Sequence, residues 1–368
     1  MTHTSFEIFA TAPPGLEPLL LAQVQAAGFD GAMAVPGGVT FTGGWPEVWR
    51  ANLELRGAGR VLARFGSFLA FHLAQLDKRS RKFPWTETLR PYVPVRVEVT
   101  CHKSKIYHAG AAQQRIETAL REEAGINIAP DAPVTLKVRI DDNTVTLSVD
   151  TSGESLHKRG HKEAVGKAPM RETLASLFLV HCGYTGTEAV VDPMCGSGTF
   201  VIEAAEIALG LQPGRSRDFA FMQLAGFDKT AFAALRHAGP RDTDLRFYGS
   251  DRDTGAVRSA TANAERAGVG DNVTFAHHAI SDLPRPAGLP GLVMVNPPYG
   301  ARIGNRNLLF PLYGALGATL KDRFRGWRVG LVTSEPGLAK ATALPFTPDR
   351  LQVPHGGLKV TLFRTDPL

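Results

Sequence analysis

Cysteine is scarce in this sequence, and no arrangement of cysteine or histidine indicates a metal site. The three cysteines, Cys101, Cys182 and Cys195, are scattered along 368 residues without the spacing of metal ligands. The 11 histidines are also dispersed, and His277 and His278 are adjacent rather than one helical turn apart. We therefore expect neither a metal ion nor a disulfide framework.

Long apolar runs are missing as well. The longest, such as residues 19–22, are far shorter than the about 20 residues that a membrane-spanning helix needs. The N-terminus lacks the charged-then-apolar pattern of a signal peptide, and there is no internal repeat or low-complexity tract. These absences predict a cytoplasmic protein with no membrane partner.

The composition is that of a globular protein with an excess of basic residues. A chain of 368 residues with 43% apolar content can bury large cores and is expected to form two or three domains. Its net charge of +6 and isoelectric point near 9.3 favour a polyanionic partner without identifying one. The position of the basic residues is therefore more informative than their total.

The apolar run 291–295 ends in the tetrapeptide Asn296-Pro297-Pro298-Tyr299, which suits the methylation of an amine on a planar base. Such an amine is a poor nucleophile, and acceptors must draw its lone pair toward an electrophile. The side-chain carbonyl of Asn296 and the backbone carbonyl of Pro297 can accept its two N–H bonds, while the Tyr299 ring stacks on the base. The alternative is a strand followed by an ordinary proline turn.

A second motif, residues 190–199, has the pattern of a strand followed by a glycine loop, with the apolar helix 200–209 behind it. Gly196 and Gly198 allow a tight turn and a close approach to a ligand, and the helix N-terminus offers unpaired N–H groups. No lysine follows Gly198, which argues against a Walker phosphate loop. Val201 stands where a dinucleotide fold needs a small residue, so a different nucleotide-like cofactor is favoured.

A third strand, residues 245–251, ends in a carboxylate, Asp251, that can accept both hydroxyls of a ribose. Ligands of open α/β sheets lie at the carboxyl ends of the strands, so Asp192, Asp251 and Asn296 are expected to converge on one crevice. The interval from Asp192 to Asp251 is much longer than the about 20 residues of a compact unit, which places an insertion at 210–244. A solvated turn acid is the alternative for Asp251.

Basic residues cluster at two places in the N-terminal half and suggest contacts with RNA phosphates. One cluster stands beside Phe83 and Trp85, whose rings can stack on unpaired bases, and the other follows the alternating strand 93–99. An isolated charged segment is more often a solvated loop. The residues are Lys78, Arg79, Arg81 and Lys82 in the first cluster and Lys103 and Lys105 in the second.

Taken together, the motifs 192–199 and 296–299 and the junction 150–160 resemble a known family over nearly the whole chain. This is the family of class I S-adenosylmethionine-dependent RNA guanine-N2 methyltransferases with a THUMP domain, which includes 23S rRNA and tRNA enzymes. Residues 168–175 are similar to the helix that precedes the first catalytic strand of that family. The segment 103–105 resembles the part of the THUMP domain that leads into its RNA-facing helix.

The resemblance implies the cofactor S-adenosylmethionine and assigns roles to residues. Gly196 and Gly198 face its methionine part, Asp251 holds its ribose, and residues 296–299 hold the target base. The basic connector 157–162 is expected to touch RNA, although a plain linker is the alternative. The full set is Asp192, Pro193, Cys195, Gly196, Gly198, Thr199, Asp251 and Asp282 for the cofactor, and Lys158 and Arg159 in addition to the earlier basic residues for RNA.

The sequence departs from the family at one place. Aligning Asp282 and Leu283 with the pair that follows the third strand puts Ala279 where relatives carry an acid that accepts from the adenine amine. His278, Asp282 or backbone groups are the candidates to replace that acid. Cofactor binding weaker than in relatives is expected.

The order of predicted elements gives an α/β architecture: a Rossmann-like methyltransferase domain preceded by an α+β ferredoxin-like and THUMP region. We predict a ferredoxin-like domain over 1–65, a THUMP domain over 66–155, a linker and helix over 156–180, and the methyltransferase domain over 181–368. A hairpin around residues 141–143 closes the THUMP region, and one around 354–357 ends the chain.

The expected reaction is direct in-line attack of guanine N2 on the sulfonium methyl, with no metal or covalent intermediate, and positioning supplies most of the catalysis. Cys195 has no base beside it and is not expected to be a nucleophile. The target base is expected to be flipped out or in a loop. The favoured substrate is 23S rRNA; tRNA, adenine N6 and a noncatalytic RNA-binding or assembly factor are the alternatives, and nothing indicates the oligomeric state.

Overall fold

A computed structural model describes residues 5–163, 170–236, 239–300 and 308–368. The chain forms two compact units: unit 1 comprises residues 1–12, 21–156 and 217–236, and unit 2 comprises residues 13–20, 157–216 and 237–368. The first two residues of the predicted helical segment 168–175 lie outside the described residues. Within the described ranges, no helix combines the length and apolarity that crossing a membrane requires.

Unit 1 is built on one seven-stranded sheet with the order β2-β3-β1-β4-β7-β6-β5, in which the pair β5–β6 is parallel and the other pairs are antiparallel. Residues 17–20 of its first helix belong to unit 2. The elements are β1 (Phe6–Thr11), α1 (Glu17–Ala26), β2 (Asp30–Val35), β3 (Gly38–Gly43), α2 (Trp45–Glu54), β4 (Val61–Leu69), α3 (Leu73–Arg81), β5 (Val95–His102), α4 (Ala109–Ala124), β6 (Val134–Asp141), β7 (Thr144–Asp150) and α7 (Lys229–Leu235).

Strand β4 spans the predicted boundary between the ferredoxin-like domain and the THUMP domain, at residues 65 and 66. It pairs with β1 on one side and with β7 on the other, so a single sheet continues across that boundary. The predicted hairpin between β6 and β7 is confirmed. Its turn residues Asp142 and Asn143 have φ angles of 46° and 61°, as a tight two-residue hairpin requires.

Part of the segment 210–244, where the sequence places an insertion, belongs to unit 1, which includes residues 217–236. Phe221, Phe227 and Phe232 pack around Trp49, with ring centroids 5.8 to 6.4 Å from that of Trp49. The Phe221 N–H also donates to the carbonyl of Thr151 at 3.0 Å. Burying one such ring contributes about 1.5–3 kcal/mol, so the aromatic cluster accounts for where residues 217–236 pack.

Unit 2 is a seven-stranded sheet with the order β10-β9-β8-β11-β12-β14-β13, parallel except for the C-terminal hairpin of β13 and β14. The predicted fold class and the terminal hairpin are confirmed. The elements are α5 (Glu172–His181), β8 (Val190–Asp192), α6 (Thr199–Ala208), β9 (Phe247–Asp251), α8 (Thr254–Arg266), β10 (Val273–His277), β11 (Leu292–Val295), α9 (Leu309–Arg323), β12 (Arg328–Thr333), α10 (Pro336–Ala341), β13 (Phe346–His355) and β14 (Leu358–Thr365).

Both faces of this sheet are covered by apolar side chains. In β11, Leu292 and Met294 point into one core, which includes residues of α5 and α6, while Val293 and Val295 point into the other, which includes residues of α9. Strand order reverses at β8, which lies between β9 and β11. Ligands of such sheets bind beyond the carboxyl ends of the strands at that point.

Candidate active site

Three polar side chains lie at the carboxyl ends of the strands where the order reverses. Asp192 ends β8, Asp251 ends β9, and Asn296 follows β11 directly. The loop after β8 is tied to the end of β9, since the Cys195 N–H donates to the Ser250 carbonyl at 2.9 Å. The sequence pattern placed these residues together from strand order alone, and the structure has them at neighbouring strand ends.

The glycine loop after β8 has a backbone conformation that favours glycine. Gly196 and Gly198 have φ angles of 52° and 84°, in the left-handed region. A Cβ on Gly198 would come within 3.0 Å of the Phe275 ring and 3.1 Å of Ala260. Helix α6 begins immediately afterwards without a side-chain cap, so its N-terminus faces the loop. This is a cradle for a close-fitting ligand.

The carboxylate of Asp251 is held in one orientation by the backbone. Its Oδ2 accepts from the Gly196 N–H at 3.0 Å and its Oδ1 accepts from the Asp253 N–H at 3.0 Å. Each oxygen of an ionised carboxylate has a further acceptor site. The carboxylate therefore links the glycine loop to β9 and can still accept from two hydroxyl groups of a ligand.

Asp192 is a buried carboxyl group. It is 2% exposed, and its Oδ1 accepts from the Met194 N–H at 3.0 Å. Burial raises its pKa to about 8, the charge of Asp251 adds to the rise, and the Met194 hydrogen bond opposes it. A neutral Asp192 carboxyl is thus favoured in the ligand-free protein near neutral pH.

We expect Asp192→Asn to raise the thermal stability of the ligand-free protein at alkaline pH. A carboxyl whose folded-state pKa lies near 8, above the unfolded value of about 4, makes the wild type lose stability as pH rises between those values. The amide does not ionise, so the melting temperatures should differ little at pH 4 and by about 5 °C or more at pH 8. Calorimetric scans from pH 4 to 9 test this. A difference that does not grow with pH would contradict it.

The tetrapeptide after β11 presents an acceptor without a partner. The Oδ1 atom of Asn296 is buried and has no hydrogen-bond partner among the described residues. The backbone beyond it is held in place: the Tyr313 hydroxyl donates to the Pro298 carbonyl at 3.2 Å, and the Gly300 N–H donates to Glu335 at 3.2 Å. A buried, unpaired acceptor costs folding free energy and is commonly retained for function. Sequence reasoning missed Tyr313, because only the structure shows what its hydroxyl contacts.

Two further residues of the predicted cofactor set can be placed. Cys195 is buried, and burial holds the pKa of its thiol far above its usual range, which agrees with a structural role for that side chain. Asp282 ends a short 3-10 helix, Ile280–Asp282, and is exposed. Ala279 is also exposed. His278 donates its backbone N–H to the Asp251 carbonyl at 3.3 Å, and its buried Nδ1 has no partner within the described ranges. The His278 backbone is therefore hydrogen-bonded to the end of β9, whereas Asp282 has no such bond to β9.

The predicted RNA-contacting residues fall into two groups. Lys78, Arg79, Lys82, Lys103, Lys105 and Lys158 are exposed. Arg81 instead pairs with Asp77 at 3.1 Å and with Glu122 and Glu123 at 2.7 Å each. Trp85 is 1% exposed and donates to the Ser80 carbonyl. Trp85 as a stacking ring is thus corrected, because the ring is buried within unit 1. Arg81 is already paired with three carboxylates, although its side chain remains 31% exposed.

Arg159 is a second correction. Its guanidinium is 2% exposed and lies 3.0 Å from the carboxylate of Glu203, which is 1% exposed. A side chain buried in this way cannot meet an RNA phosphate. It neutralises a carboxylate on the inner face of α6, and breaking a buried pair of this kind by removing one partner costs about 3–5 kcal/mol.

The fold of unit 2 is that of a class I methyltransferase domain. Residues 159–358, more than half of the chain, match the family described as RMKL-like, methyltransferase domain. Residues 7–62 match the RlmL ferredoxin-like domain. The chain therefore belongs to the RMKL-like methyltransferase family, and the family expected from the sequence is confirmed.

Two curated relatives are 32% identical to this chain. One, from Synechocystis sp., is provisionally named RNA methyltransferase slr0064; the match covers 98% of this chain and 97% of the relative. The other is the ribosomal RNA large subunit methyltransferase K/L of Methylococcus capsulatus, matched over 90% of this chain. The match covers 47% of that second relative, so the chain spans about half of its length.

Two solved structures share the fold over 99% of this chain. SMU.472, described as a methyltransferase complexed with SAH, has a TM-score of 0.85 at 26% identity and is covered over 98% of its length. A predicted N6-adenine-specific DNA methylase from Listeria monocytogenes has a TM-score of 0.87 at 29% identity and is covered over 97%. The cofactor of this methyltransferase family is S-adenosylmethionine. The left-handed glycine loop and the oriented Asp251 carboxylate fit that molecule.

Proposed function

We propose that this protein transfers a methyl group from S-adenosylmethionine to the exocyclic N2 amine of a guanine in RNA, with 23S rRNA the favoured substrate. The observation that carries the proposal is the buried Oδ1 of Asn296, which has no hydrogen-bond partner in the described part of the chain and lies at the strand ends that also carry the glycine loop. The name of the Methylococcus relative supports a ribosomal substrate, and the name of the Synechocystis relative supports RNA.

Asn296 and Pro297 act on the amine. Their carbonyl oxygens accept its two N–H bonds and turn its lone pair away from the ring, while the Tyr299 side chain offers a face for the base. The hydrogen bond from Tyr313 to the Pro298 carbonyl keeps this turn in place. Bound S-adenosylmethionine supplies a methyl carbon activated by its sulfonium. The proton that the amine loses is taken by solvent or by a carbonyl, and no basic side chain is needed.

The cofactor residues hold and orient rather than react. We assign the ribose hydroxyls to Asp251 and the methionine part to the backbone of Gly196, Gly198 and Thr199. Asp192, Pro193 and Cys195 shape the loop, and Asp282 is retained as a contact on the adenine side. Rigid placement of the two reactants is the main source of rate enhancement in such a site.

Adenine N6 methylation is the nearest alternative, because the same acceptors suit both amines and a Listeria protein of this fold carries that description. A tRNA substrate is the second. The two alternatives differ from the leading proposal in product and in substrate pool, so one experiment separates them.

The protein is incubated with tritiated S-adenosylmethionine and separate pools of unmodified 23S rRNA and tRNA, and the labelled nucleoside is identified after digestion. N2-methylguanosine in the rRNA pool supports the proposal. The same nucleoside found only in tRNA would show that tRNA, rather than 23S rRNA, is the substrate. N6-methyladenosine would show that the target base is adenine and would overturn the assignment of guanine. No label in either pool, together with no binding of S-adenosylhomocysteine, would favour a noncatalytic RNA-binding factor.

We also propose that the loop after β5 contacts the RNA. Lys103 and Lys105 are exposed, and the loop that carries them is fixed to the β6–β7 turn. The Lys105 N–H donates to Asn143 Oδ1 at 2.9 Å, and the Asn143 N–H donates to Ser104 Oγ at 3.0 Å. Beside them, Tyr107 is 85% exposed. Two cations and a ring held on a rigid loop suit a phosphate backbone with unpaired bases.

Replacing Lys103 and Lys105 together with alanine should weaken RNA binding and reduce the salt dependence. Each lost phosphate contact lowers the slope of log K against log salt by about 0.7–0.9. Filter binding at several salt concentrations measures both effects. Lys321→Ala with Lys340→Ala is the matched control, since it removes the same charge from exposed lysines of unit 2. Equal weakening in the control would show that only net charge matters.

A further inference from the structure

The connector 157–162 was expected to touch RNA, but two of its cations bind to unit 2 itself. Arg159 pairs with Glu203 on α6, and Lys162 reaches the first residue of the same helix. Helix α6 begins where the glycine loop ends. The connector therefore holds the element that presents the loop to the cofactor.

Lys162 is placed to position the loop rather than to bind a ligand. Its Nζ lies 2.9 Å from Thr199 Oγ1, 3.0 Å from the Met170 carbonyl and 2.9 Å from the Glu172 carboxylate. An ammonium group has three N–H donors, so these three oxygens account for all of them. The Lys162 side chain is 11% exposed and that of Glu172 is 6% exposed, so water competes weakly for these contacts.

The opposite side of the loop is supported by α8. The Asn263 side chain is fully buried, and its amide donates to the Ser197 carbonyl at 3.1 Å. Arg266 donates to Asn263 Oδ1 and also to the carbonyl of His161 at 2.8 Å. The connector thus reaches the glycine loop by two routes, directly through Lys162 and indirectly through α8.

We propose that Lys162 is a positioning residue for the amino-acid end of S-adenosylmethionine, and that it acts through Thr199. The inference rests on the proposed role of Gly196, Gly198 and Thr199 in holding that end of the cofactor. Holding the Thr199 hydroxyl fixes the start of α6 and keeps the loop in its binding conformation before the cofactor binds. The conformational entropy lost by the loop on binding is therefore smaller. The adenosine end, held at β9, does not depend on this contact.

The test compares two ligands by titration calorimetry on the full chain: S-adenosylhomocysteine, and 5′-methylthioadenosine, which lacks the amino-acid part. The variant is Lys162→Met with Glu172→Gln, which removes both charges and leaves no unpaired buried carboxylate. We expect affinity for S-adenosylhomocysteine to fall about 10-fold and affinity for 5′-methylthioadenosine to change less than about 2-fold. Equal losses for both ligands, or no loss for either, would overturn the proposal.

A matched control separates positioning from plain stability. Arg159→Met with Glu203→Gln removes the other connector pair on α6, one turn further from the loop. Whatever its effect on the melting temperature, it should not discriminate between the two ligands. If it reproduces the selective loss seen with the Lys162 variant, the role assigned to Lys162 is wrong.

A double-mutant cycle checks the route through Thr199. In a Thr199→Val background the Lys162 substitution should have no further effect on S-adenosylhomocysteine binding, because the shared contact is already gone. Full additivity would show that Lys162 does not act through Thr199. If the wild-type protein itself fails to bind S-adenosylhomocysteine, it is the proposed methyltransferase function that fails.

Discussion

Asn296→Ala should reduce turnover about 100- to 1000-fold, the cost of removing one preorganised group that stabilises a transition state. Affinity for RNA and for S-adenosylhomocysteine should remain close to that of the wild type, because the lost oxygen engages the target amine only. Single-turnover methylation, filter binding and calorimetry on the same preparation measure the three quantities. A parallel loss of turnover and RNA binding would show that Asn296 is structural.

The same substitution should leave folding stability unchanged or raise it. In the ligand-free protein Asn296 Oδ1 is buried without a partner among the described residues, and such an atom costs about 1–3 kcal/mol. Alanine removes that cost, so the melting temperature should not fall. A gain in stability with a loss of activity is the combination that distinguishes a functional residue from a packing residue.

Tyr313→Phe tests the hydrogen bond that holds the turn after Asn296 in place. It keeps the buried ring and removes the hydroxyl that donates to the Pro298 carbonyl and lies 3.4 Å from Thr333 Oγ1. Turnover should fall less than in Asn296→Ala, since the acceptors remain and only their support is weakened. A larger loss in Tyr313→Phe would assign the hydroxyl a direct role.

The strand ends of the candidate site were predictable because each depends on a local pattern. Asp192, Asp251 and Asn296 each end or follow an apolar run, and the rule for ligand sites in open sheets brings such ends together. The left-handed conformation of the loop glycines is also indicated by a local pattern, since Gly-x-Gly at the end of a strand predicts a tight turn. These signals need no knowledge of distant partners.

Ion pairs between residues far apart in the sequence could not be predicted. Arg81 is paired with Glu122 and Glu123, and Arg159 with Glu203, at separations that no local pattern indicates. A basic run in the sequence therefore overstates the exposed positive charge. The unit that residues 217–236 join is equally hard to read from the sequence, because Phe221 packs on Trp49 and this burial, rather than chain order, brings the segment into unit 1.

Asp251→Ala should weaken binding of S-adenosylhomocysteine by about 100-fold or more. Two ribose hydroxyls lose a charged acceptor, and a hydrogen bond to a charged group is worth about 1.5–3 kcal/mol. The Gly196 N–H also loses its partner, so the glycine loop loses its tie to the side chain of β9. Titration calorimetry with S-adenosylhomocysteine measures the loss directly, without the RNA reaction.

Asp253→Ala is the control that separates a specific ribose contact from a general effect of negative charge. It removes the same charge two residues away, at a carboxylate that caps α8 by accepting from the Gly255 N–H at 2.7 Å. Loss of a helix cap costs about 1 kcal/mol of stability but leaves the ribose acceptor in place, so S-adenosylhomocysteine affinity should change less than about 3-fold. If both variants lose affinity equally, general negative charge attracts the cofactor, and the orientation imposed on Asp251 by Gly196 and Asp253 is not what holds the ribose.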